Sequence, residues 1–191
     1  MTTPAYHLHW EAIRLAVVDR SIPAGAGLYA IGLDSPVRGF TGIYIGKSGT
    51  VRRRAYHHRR TWFTAPHAGY WIPRDADAYL RDPVAVFNAG DVAQRLPDRN
   101  EIQGRIRERS WFCYATPDLT GREHGLGHLE YVLQEALKMH VGIENDEYIG
   151  DSGRRDHPAT DLVINSTFAE PFLASTLPAT ITFRASSVDL S

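Results

Sequence analysis

Apolar positions along the chain alternate between helix-like and strand-like spacing. Tyr6, Trp10, Ile13 and Val17 fall at i, i+4, i+7 and i+11, which predicts a helix over residues 6–20, closed by Ser21-Ile22-Pro23 and the glycines at 25 and 27. Leu28 to Leu33 and Thr41 to Ile45 are short β-prone runs separated by Asp34-Ser35-Pro36 and Gly39, so they predict an antiparallel hairpin. Thr50 to about Arg60 reads as a helix whose less polar side carries Val51, Ala55 and His58. Trp111 to Ala115 is a buried strand ended by Pro117-Asp118. His128 to His140 is an amphipathic helix with Leu129, Val132, Leu133, Ala136 and Leu137 on one stripe. Asp161 to Ile164 is a further short apolar run, and Thr180 to Phe183 a late edge strand.

Between these periodic segments, residues 61–110 carry prolines at 66, 73, 83 and 97 and scattered aromatics, and they read as an irregular insertion. Trp62, Phe63, Tyr70 and Trp71 there either pack as a satellite core or stack on bases. After the first helix the order is strand, strand, helix, strand, helix. The expected fold is α+β, a small, mostly antiparallel three-stranded sheet flanked by helices, in a single domain over 1–191.

Composition changes this picture little. The chain has 191 residues, 43% apolar and 23% charged, which is ordinary globular composition. A single cysteine, Cys113, excludes an internal disulfide and a multi-cysteine zinc site. Charged and histidine residues interrupt the N-terminal segment, and no apolar run is long enough to span a bilayer, so a cytoplasmic protein without membrane association is expected.

Charge adds more. The net charge is -1, yet Lys47, Arg52, Arg53, Arg54, Arg59 and Arg60 lie in one stretch with two histidines and no acid. Such a run is either a solvated helix face or a set of phosphate contacts.

The hairpin and the helix after it carry a resemblance. Gly27-Leu28-Tyr29, then after fourteen residues Tyr44-Ile45-Gly46, resembles the paired motif of the GIY-YIG nuclease superfamily, with leucine for the middle isoleucine. Arg54 follows Gly46 by eight residues and His58 follows Arg54 by four, where the family has an arginine and then a tyrosine or histidine. Glu130, in Gly127-His128-Leu129-Glu130, holds the place of the family's glutamate on a later helix. The match covers residues 25–60 and 111–140 and leaves out 61–110. Restriction enzymes of the superfamily carry comparable insertions. The family's asparagine has two candidates here, Asn145 and Asn165, both off the usual spacing. Tyr148-Ile149-Gly150 repeats the YIG letters without the following arginine and histidine and reads as a turn.

The resemblance implies a metal-dependent DNA endonuclease. Hydrolysis of a phosphodiester requires an aligned water, cancellation of phosphoryl charge and a proton for the leaving oxygen. Glu130 is then the ligand of one Mg²⁺ or Mn²⁺, Arg54 the phosphate fork and His58 a proton carrier. By the resemblance Tyr29 orients or deprotonates the water and Tyr44 holds it in place, with either as the base. A phenol, with its ordinary pKa of about 10, needs nearby cations for that role. Lys47 supports Tyr29 or contacts phosphate. Arg52, Arg53, Arg59 and Arg60 contact the DNA backbone, and Arg53 and His57 compete with their neighbours for the motif positions.

The implied partner is double-stranded DNA, met by a homodimer in the restriction case. A structure-selective repair or recombination nuclease and a binding module without chemistry are the other readings, and an intact set of Tyr29, Tyr44, Arg54, His58 and Glu130 disfavours the second. Cys113, His124 and His128 form a weaker zinc constellation.

Overall fold

A computed structural model describes residues 3–61, 72–93, 99–142, 157–185 and 187–190. The chain runs β1 (Ala5–Arg14), β2 (Gly27–Ser35), β3 (Gly39–Ser48), α1 (Val51–Thr61), β4 (Ile72–Pro73), α2 (Ala76–Arg81), α3 (Pro83–Asn88), β5 (Val92–Ala93), α4 (Arg99–Arg109), β6 (Ser110–Ala115), α5 (Leu126–Val141), β7 (Leu162–Phe168), β8 (Thr180–Arg184) and β9 (Ser187–Leu190).

The hairpin, the helix after it, the strand at 111–115 and the long later helix occur where the pattern predicts them. The sheet does not have three strands. Among the described residues it has seven, in the order β3-β2-β6-β1-β7-β8-β9, curled into a half-barrel. The block β3-β2-β6 is antiparallel, and β6 continues into β1, again antiparallel. β1 then runs parallel to β7, so the sheet is mixed. α5 packs against β3 and β2 near one edge and against β8 and β9 at the other. The long helix therefore lies in the hollow of the curl.

The predicted helix over 6–20 is a strand followed by a short 3₁₀ turn at Leu15–Val17. Tyr6, Leu8 and Trp10 are buried while His7, His9 and Glu11 are exposed, a period of two. Both periods fit this stretch on paper, because Tyr6 and Trp10 are four apart and also share one strand face. Tertiary pairing decides it: Ala5–Trp10 pair with β7 on one edge and Glu11–Arg14 with β6 on the other, so every residue of β1 has a partner strand.

Segment 61–110, expected to be irregular, is largely helical where it is described. Asp75 caps α2, its Oδ1 accepting the amides of Asp77 and Ala78 at 2.8 and 3.2 Å. Asp82 caps α3 with Pro83 in the first turn, accepting the Ala85 amide at 3.1 Å. These are standard start signals for short helices. Ser35 Oγ ties the end of β2 to this layer through the Arg81 carbonyl at 2.5 Å. Trp62, Phe63, Tyr70 and Trp71 lie outside the described residues.

Among the described residues, no helix is long and apolar enough to cross a membrane.

Candidate active site

The β2–β3 register pairs Tyr29 with Gly46 and Ile31 with Tyr44, and a bulge follows between Ile31 and Gly32. Strand alternation sets Tyr29, Tyr44 and Gly46 on one face, the two tyrosines as diagonal neighbours. Tyr29 Oη donates to Tyr44 Oη at 3.4 Å, with ring centroids 5.8 Å apart. Phe112 of β6 stacks on Tyr29 at 5.4 Å and 11°. The ring of Tyr29 lies across Gly46, where a Cβ would stand 2.4 Å from its hydroxyl. The glycine of the second motif half is thus what lets the first half's tyrosine lie flat. Tyr29 is buried at 1% exposure and Tyr44 is half-buried, so Tyr44 is the tyrosine nearer solvent.

α1 turns Val51, Ala55 and His58 onto this face, all three buried at i, i+4 and i+7. The His58 ring lies 5.2 Å from that of Tyr29 and 5.9 Å from that of Tyr44. The Arg54 guanidinium carbon sits 5.8 Å from the Tyr29 ring centroid. Four predicted residues from three elements therefore share one cluster. The helix start is anchored by the amides of Val51 and Arg52, which donate to the carbonyls of Gly25 and Pro23. Ser48 Oγ accepts the Thr50 amide at 3.1 Å.

Beside the cluster, Ser48, Gly49, Thr50, Arg53, Arg54 and His57 line an open concavity of about 490 Å³. Two guanidinium groups, two hydroxyls and no acid make a wall suited to phosphate. The basic run divides accordingly. Arg53 and Arg54 face the concavity, and Arg60 is exposed. Arg52 Nε instead donates to the Ile22 carbonyl at 2.6 Å and Arg59 Nη1 to the Val18 carbonyl at 2.9 Å, so both clamp α1 to the loop before β2. The same geometry separates the two histidines: His57 lines the concavity, and His58, 1% exposed, packs behind the tyrosines.

Glu130 arrives from the other side. β3 is the outermost strand of its edge, and past the bulge Ile45 and Lys47 point their backbone groups outward. Glu130 Oε1 accepts the Lys47 amide at 2.9 Å, and Gln134 Nε2 donates to the Ile45 carbonyl at 3.0 Å. Residues four apart on α5 thus match residues two apart on β3, since both steps span about 6–7 Å. α5 closes the open edge of the sheet through these two side chains. Glu130 also holds the Lys47 ammonium, Oε2 to Nζ at 3.0 Å.

Lys47 follows Gly46, and Gly46 touches the Tyr29 hydroxyl. Chain geometry limits the separation between that hydroxyl and Glu130 Oε1 to about 10 Å. The glutamate thus lies at the rim of β3, within about 10 Å of the Tyr29 hydroxyl. Gln134 was not anticipated from sequence, although its i+4 spacing from Glu130 was there to read.

Other sequence candidates are not gathered here. Asn165 is on β7, which β6 and β1 separate from β2, and it pairs with Thr180 at 3.4 Å. Asn145 and Tyr148-Ile149-Gly150 lie outside the described residues. Cys113 is buried on β6, and His124 is bonded to Tyr6 and Thr160. Among the described residues, no group of three or more histidine, cysteine, aspartate or glutamate side chains is arranged to hold a metal. The chain was compared with family models, with characterised proteins and with solved structures, and none matches.

Proposed function

We propose that this protein is a metal-dependent endonuclease of the GIY-YIG type that hydrolyses phosphodiester bonds in double-stranded DNA as a restriction or defence enzyme. The observation that carries the reading is the convergence of Tyr29, Tyr44, Arg54 and His58 beside a basic concavity. Tyr29 and His58 are buried and packed, while Tyr44 and Arg54 are part-exposed beside the open basic wall.

The donor set suits a single hard cation. Glu130 offers a hard carboxylate whose Oε2 already carries a positive group, the Lys47 ammonium. Mg²⁺, or Mn²⁺ in its place, takes one or two protein carboxylates and completes its shell with water and substrate phosphate. When bound at Glu130 the ion supplies charge cancellation on the phosphoryl oxygens.

The chain's own groups do the rest. Arg54 and Arg53 fork a nonbridging phosphate oxygen in the concavity. Tyr44, the half-exposed phenol, orients the attacking water, and Tyr29 fixes it through the contact between hydroxyls. His58 sits behind both rings and holds a proton within the cluster. His57, on the concavity wall, is the imidazole on the side of the leaving oxygen. Two copies acting together cut both strands of a palindromic site.

The test is incubation of the purified protein with unmodified phage-length duplex DNA and Mg²⁺, beside Tyr44→Phe and Arg54→Ala. Discrete fragments that need the metal and vanish in both variants support a restriction enzyme. A smear reduces the reading to an unspecific nuclease. Intact duplex and intact branched DNA at every metal concentration overturn it.

A further inference from the structure

We propose that Lys47 is a latch on the metal position: in the DNA-free protein its ammonium occupies the Glu130 oxygen that a divalent cation takes once polyanion has drawn the lysine away. The inference rests on the reading of Glu130 as the metal ligand and adds an order of binding to it.

Lys47 holds Glu130 in two chemically different ways. Its backbone amide binds Oε1 at 2.9 Å, and its side chain binds Oε2 at 3.0 Å. The amide belongs to β3 and cannot leave without breaking the sheet edge. The side chain is a flexible four-carbon stem with a compact charge, and it can. One oxygen is therefore fixed in direction by the fold, while the other is covered by a removable cation. The exposure of the two side chains agrees: 35% for lysine and 9% for glutamate, so the ammonium lies on the solvent side of the carboxylate.

A divalent ion approaching from solvent meets that positive charge first. It must displace the ammonium from Oε2, and the two cations repel if both stay. A phosphate entering beside Ser48 and Arg54 offers the ammonium a second anionic partner, next to Lys47 in the chain. DNA and metal then bind with positive coupling, and metal alone binds weakly.

The measurement is Mn²⁺ binding by DNA-free protein, followed through the electron paramagnetic resonance of free Mn²⁺. Lys47→Met keeps the backbone bond to Oε1 and removes the charge, so it binds Mn²⁺ about tenfold or more tightly than the unaltered protein. Lys47→Arg, which restores a cation, stays weak. The gain disappears in Lys47→Met combined with Glu130→Gln. Equal Mn²⁺ binding by the unaltered protein and Lys47→Met, abolished by Glu130→Gln, overturns the latch and leaves Glu130 as ligand. A gain that survives Glu130→Gln overturns it as well, because the ion then sits elsewhere. No binding by any variant removes the Glu130 reading and the latch together.

Discussion

Gly46 and Tyr29 face each other across the β2–β3 pair, and a side chain at Gly46 would stand 2.4 Å from the Tyr29 hydroxyl. Gly46→Ala must push the ring toward Phe112 and His58, which pack behind it. Overpacking of this kind costs about 1–3 kcal/mol. On the proposed nuclease reading, the displaced tyrosine lowers DNA cleavage roughly 100-fold. Urea unfolding and a DNA cleavage assay on the same preparation read both effects.

Arg52 and Arg54 are two residues apart on α1 and have different tasks. On the proposed nuclease reading, Arg54→Ala removes a phosphate fork at the concavity and lowers the cleavage rate roughly 100- to 1000-fold with little change in stability. Arg52→Ala frees the Ile22 carbonyl and costs about 1 kcal/mol of stability, with cleavage at saturating DNA retained. Thermal unfolding and single-turnover cleavage separate the two.

Gln134 is buried, and its amide satisfies the Ile45 carbonyl at the sheet rim. Gln134→Ala strands that carbonyl under α5 and destabilises the protein by about 1–3 kcal/mol. Denaturant unfolding checks the size, and faster amide exchange at β3 relative to β1 checks the place.

His124 gives a pH dependence. Its side chain bonds Tyr6 Oη at 3.0 Å and Thr160 Oγ1 at 3.0 Å. Burial lowers its pKa below the usual histidine value of 6.5; Glu123 opposes that shift and His128 adds to it. A depressed histidine is neutral in the folded protein and takes its proton more readily when unfolded. Stability is therefore full above pH 6.5, falls as pH drops below it, and levels off once the folded imidazole protonates. Denaturant unfolding between pH 7.5 and about 5 shows this slope, and His124→Gln flattens it.

Cys113 is fully buried in β6, and burial, with Asp34 nearby, drives its thiol pKa far above the ordinary range. A disulfide reagent leaves it unmodified in native buffer and labels it fully in denaturant. Slow labelling under native conditions measures the opening of the sheet around it.

The hairpin, α1, β6 and α5 were legible because each carries one clear period and clear end signals. The grouping in space of Tyr29, Tyr44, Arg54 and His58 was legible too, because their spacing is local to a hairpin and one helix. β1 was not legible, because Tyr6 and Trp10 satisfy two periods and only pairing with residues over a hundred positions away chooses between them. The same distance hid β7 as a member of the main sheet, and the strand at 180–183, expected at an edge, lies inside it because β9 pairs beyond it. The starts of α2 and α3 were written in Asp75 and Asp82-Pro83, but the prolines around them outweighed those caps. The dual bond of Lys47 to Glu130 depends on how α5 crosses the edge of β3, which no local pattern encodes.

β1 lies in the interior of the sheet although it precedes both of its partner strands in the chain. Its partners are Tyr114 beside Glu11 and Val163 beside Ala5, so both of its long edges wait for chain that emerges much later. Loop closure over such separations is entropically costly before any contact rewards it, and folding of this topology is slow. Until β6 and β7 arrive, the newborn strand presents unpaired amides and carbonyls together with Tyr6, Leu8 and Trp10. Refolding yield therefore depends on keeping concentration low until the sheet joins across β1.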